Sequence, residues 1–210
     1  MASVVASTTV ATLPRGPHKL PREQIVRSQR SRLMTAMAAA MAEKGYAETT
    51  VADVLRRARV SRETFYQQFS SKQDCFIAAY EQAATRILGS LRPAARKRGA
   101  RRERFDAAIA AYLEALADEP AFARLYLLEV YAAGPEALEQ RAAFQRRFAD
   151  LVVDGLGART QTERFACELL VAGIGALVTA RLAADDIDGL RSLRGPLVEL
   201  VREALTHIRR

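Results

Sequence analysis

The sequence predicts an all-α fold, on three observations. Alanine, leucine and arginine dominate a chain that is 50% apolar and 27% charged, a composition rich in strong helix formers. No long stretch alternates apolar and polar residues with period two, the mark of a half-buried strand. Apolar residues recur instead at i, i+3 and i+4, in blocks separated by proline and glycine. About nine helices follow: an N-terminal three-helix helix-turn-helix domain and a C-terminal helical bundle. A length of 210 residues is ample for a buried core.

Residues 1–21 read as a flexible basic arm, because Pro14, Pro17 and Pro21 interrupt any helix. Within it, Arg15-Gly16-Pro17-His18-Lys19 suits a minor groove, with Arg15 and Lys19 as the contacts; an unbound tail is the other reading. The first helix is expected from about Arg22 to Lys44, with Leu33, Met37, Ala40 and Met41 inward and Gly45 ending it. Arg22, Arg27 and Arg30 near its start suit phosphate contacts. A second helix carries Val51, Val54, Leu55 and Ala58 on one face, with Thr50 capping its start and Asp53 meeting the dipole. A third begins at Ser61, another N-cap residue, and buries Phe65 and Phe69 one turn apart. Two helices joined by about three residues, the second bearing polar side chains near its N-terminus, describe a helix-turn-helix. A fourth helix opens after Ser70, with Gln73 completing a capping box, and continues through Phe76, Ile77, Tyr80, Ala84 and Leu88. The arginine-rich stretch 92–104 reads as a solvated connection. Further helices are expected at about 103–118, 120–132, 135–156, 162–184 and 189–208, punctuated by Pro120, Gly134-Pro135, Gly155, Gly157 and Gly189. The domains are therefore 1–21, 22–72 and 73–210.

The quoted residues also carry a family resemblance. Glu43-Lys44-Gly45-Tyr46, then Thr49-Thr50-Val51, then Val60-Ser61-Arg62-Glu63-Thr64-Phe65-Tyr66 and Phe69-Ser70-Ser71-Lys72 resemble the DNA-binding half of the TetR family of transcriptional repressors. The rest of the chain resembles that family in length and helical pattern only. The turn departs from it: Ala58-Arg59-Val60 stands where the family usually has Ala-Gly-Val. A left-handed Arg59 would cost roughly 1–2 kcal/mol relative to glycine, so either neighbouring packing over-determines the turn or the turn is slightly altered in shape.

Charge points the same way. Residues 1–72 hold 12 Lys/Arg and 5 Asp/Glu, so +7 of the net +8 lies in that third of the chain. Phosphate binding demands that asymmetry, and double-stranded operator DNA is the expected partner. By resemblance, Tyr66 and Lys72 touch phosphates, and Thr50 offers its hydroxyl or backbone N–H. Arg62, Glu63, Thr64, Gln67 and Gln68 are of the types that read base edges: Arg for guanine, Gln for adenine, Glu for cytosine N4, the Thr methyl for thymine. One recognition helix reads only a few base pairs, which favours a homodimer.

In the second half, the resemblance implies a small-molecule effector. Phe105, Tyr112, Phe122, Tyr126, Phe144 and Phe148 are the candidate lining, with Tyr131 as a further ring and Glu129 to orient a polar group. The alternative is that these rings fill the core and Glu129 pairs with an arginine. A nearly uncharged lining suits a hydrophobic effector. The resemblance also implies that the last two helices pair with a second copy, through Leu169, Gly173, Leu177, Leu193, Leu197 and Leu200.

Other chemistry finds little support. With His18 and His207 as the only histidines, a His-based triad or multi-histidine metal site is not expected, and no cofactor motif is present. Cys75 and Cys167 read as buried small hydrophobes rather than a disulfide. The uninterrupted apolar run from Leu169 to Ala180 is shorter than the about 20 residues that span a bilayer. The expectation is a cytoplasmic, non-enzymatic, ligand-responsive repressor acting on a pseudo-palindromic operator. A transcriptional activator or a non-specific architectural DNA binder is the alternative.

Overall fold

The computed structural model describes residues 21–95 and 99–207, the side chains of residue 95 and of 205–207 excepted. The expected contacts Arg15 and Lys19 lie outside the described residues. Ten α-helices and one 3-10 turn are present, and no strand occurs among the described residues. In chain order they are α1 (Arg22–Glu48), α2 (Val51–Ala58), α3 (Arg62–Gln68), α4 (Lys72–Ala95), α5 (Arg101–Asp118) and α6 (Pro120–Leu127). A 3-10 turn (Glu129–Tyr131) precedes α7 (Pro135–Leu156), α8 (Gln161–Ala183), α9 (Ile187–Ser192) and α10 (Arg194–His207).

The extra helix beyond nine comes from the C-terminus. The expected block 189–208 divides into α9 and α10, and Gly189 lies inside α9 rather than before it. The Asp186 carboxylate caps α9 by accepting from the Gly189 N–H at 2.8 Å. The block 120–132 ends its α-helical ladder at Leu127 and tightens into the 3-10 turn. At α4 the cap lies one residue later than expected: Ser71 Oγ accepts from the Asp74 N–H, and the Asp74 carboxylate accepts from the Ser70 N–H.

Gly45 breaks α1 with φ 77° and ψ 169°, and the helix resumes for one short turn. Thr50 and Asp53 form the capping box of α2, and Ser61 caps α3. One continuous apolar core runs from Leu33 in α1 through Phe65, Phe76, Leu113 and Leu125 to Val201 in α10. Helix α4 packs against α1 on one side and α5 on the other, and so joins the helix-turn-helix to the bundle. Both cysteines are buried and free, and burial pushes the Cys75 thiol up to about 12.

One face stays uncovered. Phe165, Leu169 and Leu177 on α8 and Leu200 on α10 are exposed large apolar residues, Leu169 at 58%. Leu193 and Leu197 differ from expectation: both are buried in the chain's own core. Helix α8 is 23 residues long with a mean hydropathy of 1.7 over its most apolar window, enough by length and composition alone to cross a membrane. The uninterrupted apolar run understated this, because apolar residues also flank Glu168 on its N-terminal side and Arg181 on its C-terminal side.

Candidate nucleic-acid interface and effector cavity

The reading helix owes its placement to local chemistry at both ends. Ser61 Oγ accepts from the Thr64 N–H at 3.1 Å, which satisfies an orphan donor at the start of α3. At the far end, the Arg30 guanidinium donates to the Gln68 carbonyl at 2.8 Å and stacks over Phe69 at 4.3 Å. Phe65 is fully buried, which leaves Arg62, Glu63, Tyr66 and Gln67 exposed and Thr64 and Gln68 half-buried. These side chains engage one another: Gln67 donates to Glu63 at 3.2 Å, and Arg62 lies 5.7 Å from the Tyr66 ring.

The turn before α3 contains the strained residue expected there. Arg59 sits at φ 52°, ψ 50°, in the left-handed region. The guanidinium of Arg32 on α1 holds this turn by donating to the carbonyls of Ala58 and, at 3.0 Å, Arg59. These are orphan acceptors at the α2 C-terminus, where a cation also meets the dipole.

Two expected phosphate contacts are occupied inside the chain. The Thr50 N–H and hydroxyl both donate to the Asp53 carboxylate, at 2.9 and 2.7 Å. Lys44 and Arg56 also pair with Asp53, which is buried. The Lys44 and Thr50 hydrogen bonds hold its carboxyl well below the usual carboxylate range. Lys72 donates to the Tyr46 carbonyl at 2.8 Å and lies 4.1 Å from the Tyr46 ring. Desolvation lowers its pKa, with Glu48 opposing.

Tyr46 is also where the two halves meet. Its backbone N–H donates to Glu129 at 2.7 Å, across 83 residues of sequence. Glu129 therefore braces the junction at Gly45, and it lines neither of the two inner cavities. From Tyr46, rings continue inward: Phe76 at 5.3 Å, then Tyr80, then Tyr126 stacked at 5.1 Å, then Phe144 at 4.8 Å. Phe148 follows at 6.1 Å and Tyr112 at 5.2 Å from it.

Two small inner cavities adjoin this series. The first, 50 Å³, is lined by Phe105, Ile109, Phe148, Leu151, Ile174 and others, with Arg104 as its only charge. The second, 20 Å³, is bounded by Tyr112, Tyr126, Phe144 and Phe148, with Arg141 and Gln145. Five of the expected lining residues are thus brought together: Phe105, Tyr112, Tyr126, Phe144 and Phe148. Phe122 stands apart in a surface cleft, 5.0 Å from the Arg86 guanidinium. The exposed Tyr131 lies 4.9 Å from Arg141. Arg141 and Gln145 were not singled out in the sequence, although both share a helical face with Phe144 and Phe148 at spacings of three and four.

Residues 33–79 match the family of bacterial regulatory proteins, tetR family. That match spans α2 and α3 with the end of α1 and the start of α4. The chain is 24% identical over 160 residues to the HTH-type transcriptional activator FasR of Mycolicibacterium smegmatis, covering 76% of this chain and 71% of that protein. Its fold is similar to that of the fatty acid degradation regulator FadR from Bacillus halodurans, with a TM-score of 0.73 at 20% identity. That match covers 88% of this chain and 96% of the other. The regulator FadR from Bacillus subtilis, solved in complex with stearoyl-CoA, gives a TM-score of 0.70 at 17% identity, over 81% and 96%. The protein is a transcriptional regulator with a DNA-binding helix-turn-helix.

Proposed function

We propose that the chain is a homodimeric, effector-released repressor that binds a pseudo-palindromic operator. Residues 22–72 form the DNA-reading domain and residues 73–210 the effector and dimerisation domain, acting in the cytoplasm without enzymatic activity or a cofactor. The exposed polar face of α3 carries this reading: Arg62, Glu63, Tyr66 and Gln67 stand free of the core on a doubly capped helix. Arg62, Glu63, Thr64, Gln67 and Gln68 read bases; Tyr66 serves phosphates, Lys72 adds the N–H donors that Tyr46 leaves it, Thr50 would have to exchange Asp53 for a phosphate, and Arg15 and Lys19 reach the minor groove.

The apolar stripe of Phe165, Leu169, Leu177 and Leu200, with Gly173 allowing close approach, supports pairing with a second copy rather than with a bilayer. Such pairing would present two reading helices to successive major grooves. The effector is a hydrophobic small molecule. The two inner cavities support this, and the relatives named for fatty acids and stearoyl-CoA point to an acyl chain. Release requires the effector to bind the DNA-incompetent arrangement more tightly. A second reading, activation, is favoured by the likeness to the activator FasR.

Selection of bound sequences from random duplex DNA tests the proposal, with the mass of the complex measured in solution. The expected result is an enriched inverted repeat bound by a dimer. Binding without any enriched sequence would leave a non-specific architectural protein instead.

A further inference from the structure

The 20 Å³ cavity is unlike the 50 Å³ one beside it. Among the described residues the larger cavity has Arg104 as its one charged lining residue, whereas the smaller is bounded by Tyr112, Tyr126, Gln145 and Arg141. Arg141 is half-buried and, among the described residues, has no carboxylate within 4.0 Å; its guanidinium lies 4.9 Å from the Tyr131 ring. A half-buried cation facing a polar niche without a counter-charge is itself an attractor for an anion. The phenols reinforce this. Tyr112 and Tyr126 are buried, and burial raises both pKa values, so each hydroxyl stays protonated as a donor. The Tyr80 hydroxyl is buried on the ring stacked against Tyr126, and the two phenols interact with one another. Donors outnumber acceptors around this niche, and its volume suits a group of a few atoms.

Phe148 is the only aromatic wall shared by the two cavities. Its ring is packed against Phe144 and Tyr112, and its rotation would join the niche to the apolar space beyond it. We propose that this joined space takes an apolar chain ending in a carboxylate, with the carboxylate on Arg141, Gln145, Tyr112 and Tyr126 and the chain lying past Phe148 toward Leu151 and Ile174. The inference rests on the effector reading above and sharpens it: the headgroup is read at the Arg141 end, by a charge-assisted contact, and bulky thioester heads are excluded from the niche.

Titration of the full-length protein without DNA tests it, using decanoate, 1-decanol and decanoyl-CoA as probes. The wild-type chain is expected to bind decanoate at least about tenfold more tightly than either other probe, the scale of a charge-assisted hydrogen bond. Arg141→Met, which keeps an unbranched apolar stem without the charge, should abolish that preference while leaving decanol binding unchanged, and Arg141→Lys should restore most of it. The unfolding midpoint of each variant reports that the fold is kept. Equal binding of decanoate and decanol by the wild type, or a preference that survives Arg141→Met, overturns the carboxylate site and leaves the hydrophobic effector standing. Tightest binding of decanoyl-CoA, or no binding of any probe, also overturns it. DNA selection by the same protein is independent of every arm.

Discussion

Replacing Arg59 with glycine should stabilise the protein. Arg59 occupies φ 52°, ψ 50°, where a Cβ crowds the backbone at a cost of about 1–2 kcal/mol. Glycine removes that crowding but enlarges the freedom of the unfolded chain, which returns about 0.4–1 kcal/mol. At the midpoints of the two ranges the difference is a net gain of about 0.8 kcal/mol, since no hydrogen bond or ion pair of the Arg59 side chain is seen among the described residues. For a chain of this length each kcal/mol moves the midpoint by about 2–4 °C, so Arg59→Gly should raise Tm by roughly 1–4 °C. Thermal unfolding followed by far-UV circular dichroism measures it. Arg32 provides the internal control, because its guanidinium holds the Ala58 and Arg59 carbonyls. Arg32→Met should lower stability by about 1.5–3 kcal/mol, the scale of hydrogen bonds to a charged group. In the double variant the glycine should recover part of that loss, because the turn no longer needs to be forced. A lower Tm for Arg59→Gly would refute the claim that this turn is strained and held by Arg32.

Three further outcomes follow from the same structure. Gln67→Ala or Thr64→Ala should each weaken binding to the selected operator by about 1–3 kcal/mol, with non-specific binding at low salt and the unfolding midpoint little changed; filter or anisotropy titrations on matched and scrambled duplexes check this. The carboxyl of Asp53 is held below its ordinary value by Lys44, Thr50 and Arg56. Its contribution to stability is therefore complete above an unfolded value of about 3.9 and drains away as pH falls through the lower folded value. Urea unfolding of the wild type and Asp53→Asn should accordingly differ most at neutral pH and converge in acid. Leu169→Glu with Leu177→Glu should leave helical content intact while halving the mass measured by light scattering, since both side chains are exposed on α8. A dimer that survives this double change would place the partner face elsewhere.

The helices were legible because their signals are local. The capping pair Thr50 and Asp53, the cap Ser61, the breaker Gly45 and the i, i+3, i+4 faces act within one or two turns, and the structure has all of them. The misread boundaries have a local cause too: Ser70 and Ser71 offer adjacent hydroxyls, and Asp74 rather than Gln73 supplies the better acceptor. The strain at Arg59 could be inferred from a missing glycine, but its compensation could not. Arg32 reaches that turn across 26 residues, Arg30 reaches the end of α3 across 38, and Glu129 reaches Tyr46 across 83. No periodicity encodes such pairs, because each depends on which helices the core brings together. That is also why Leu193 and Leu197 differed from expectation: an apolar face on α9 and α10 is one pattern, whether α5 or a second chain covers it. The same reasoning applies to the cavity. Aromatic content predicted rings in the bundle, but only the packing of α5, α6, α7 and α8 separates Phe122 on the surface from Phe148 between two voids. Arg141 escaped notice for the complementary reason: an arginine on a helix reads as solvated surface until the fold shows that it faces buried phenols and no carboxylate.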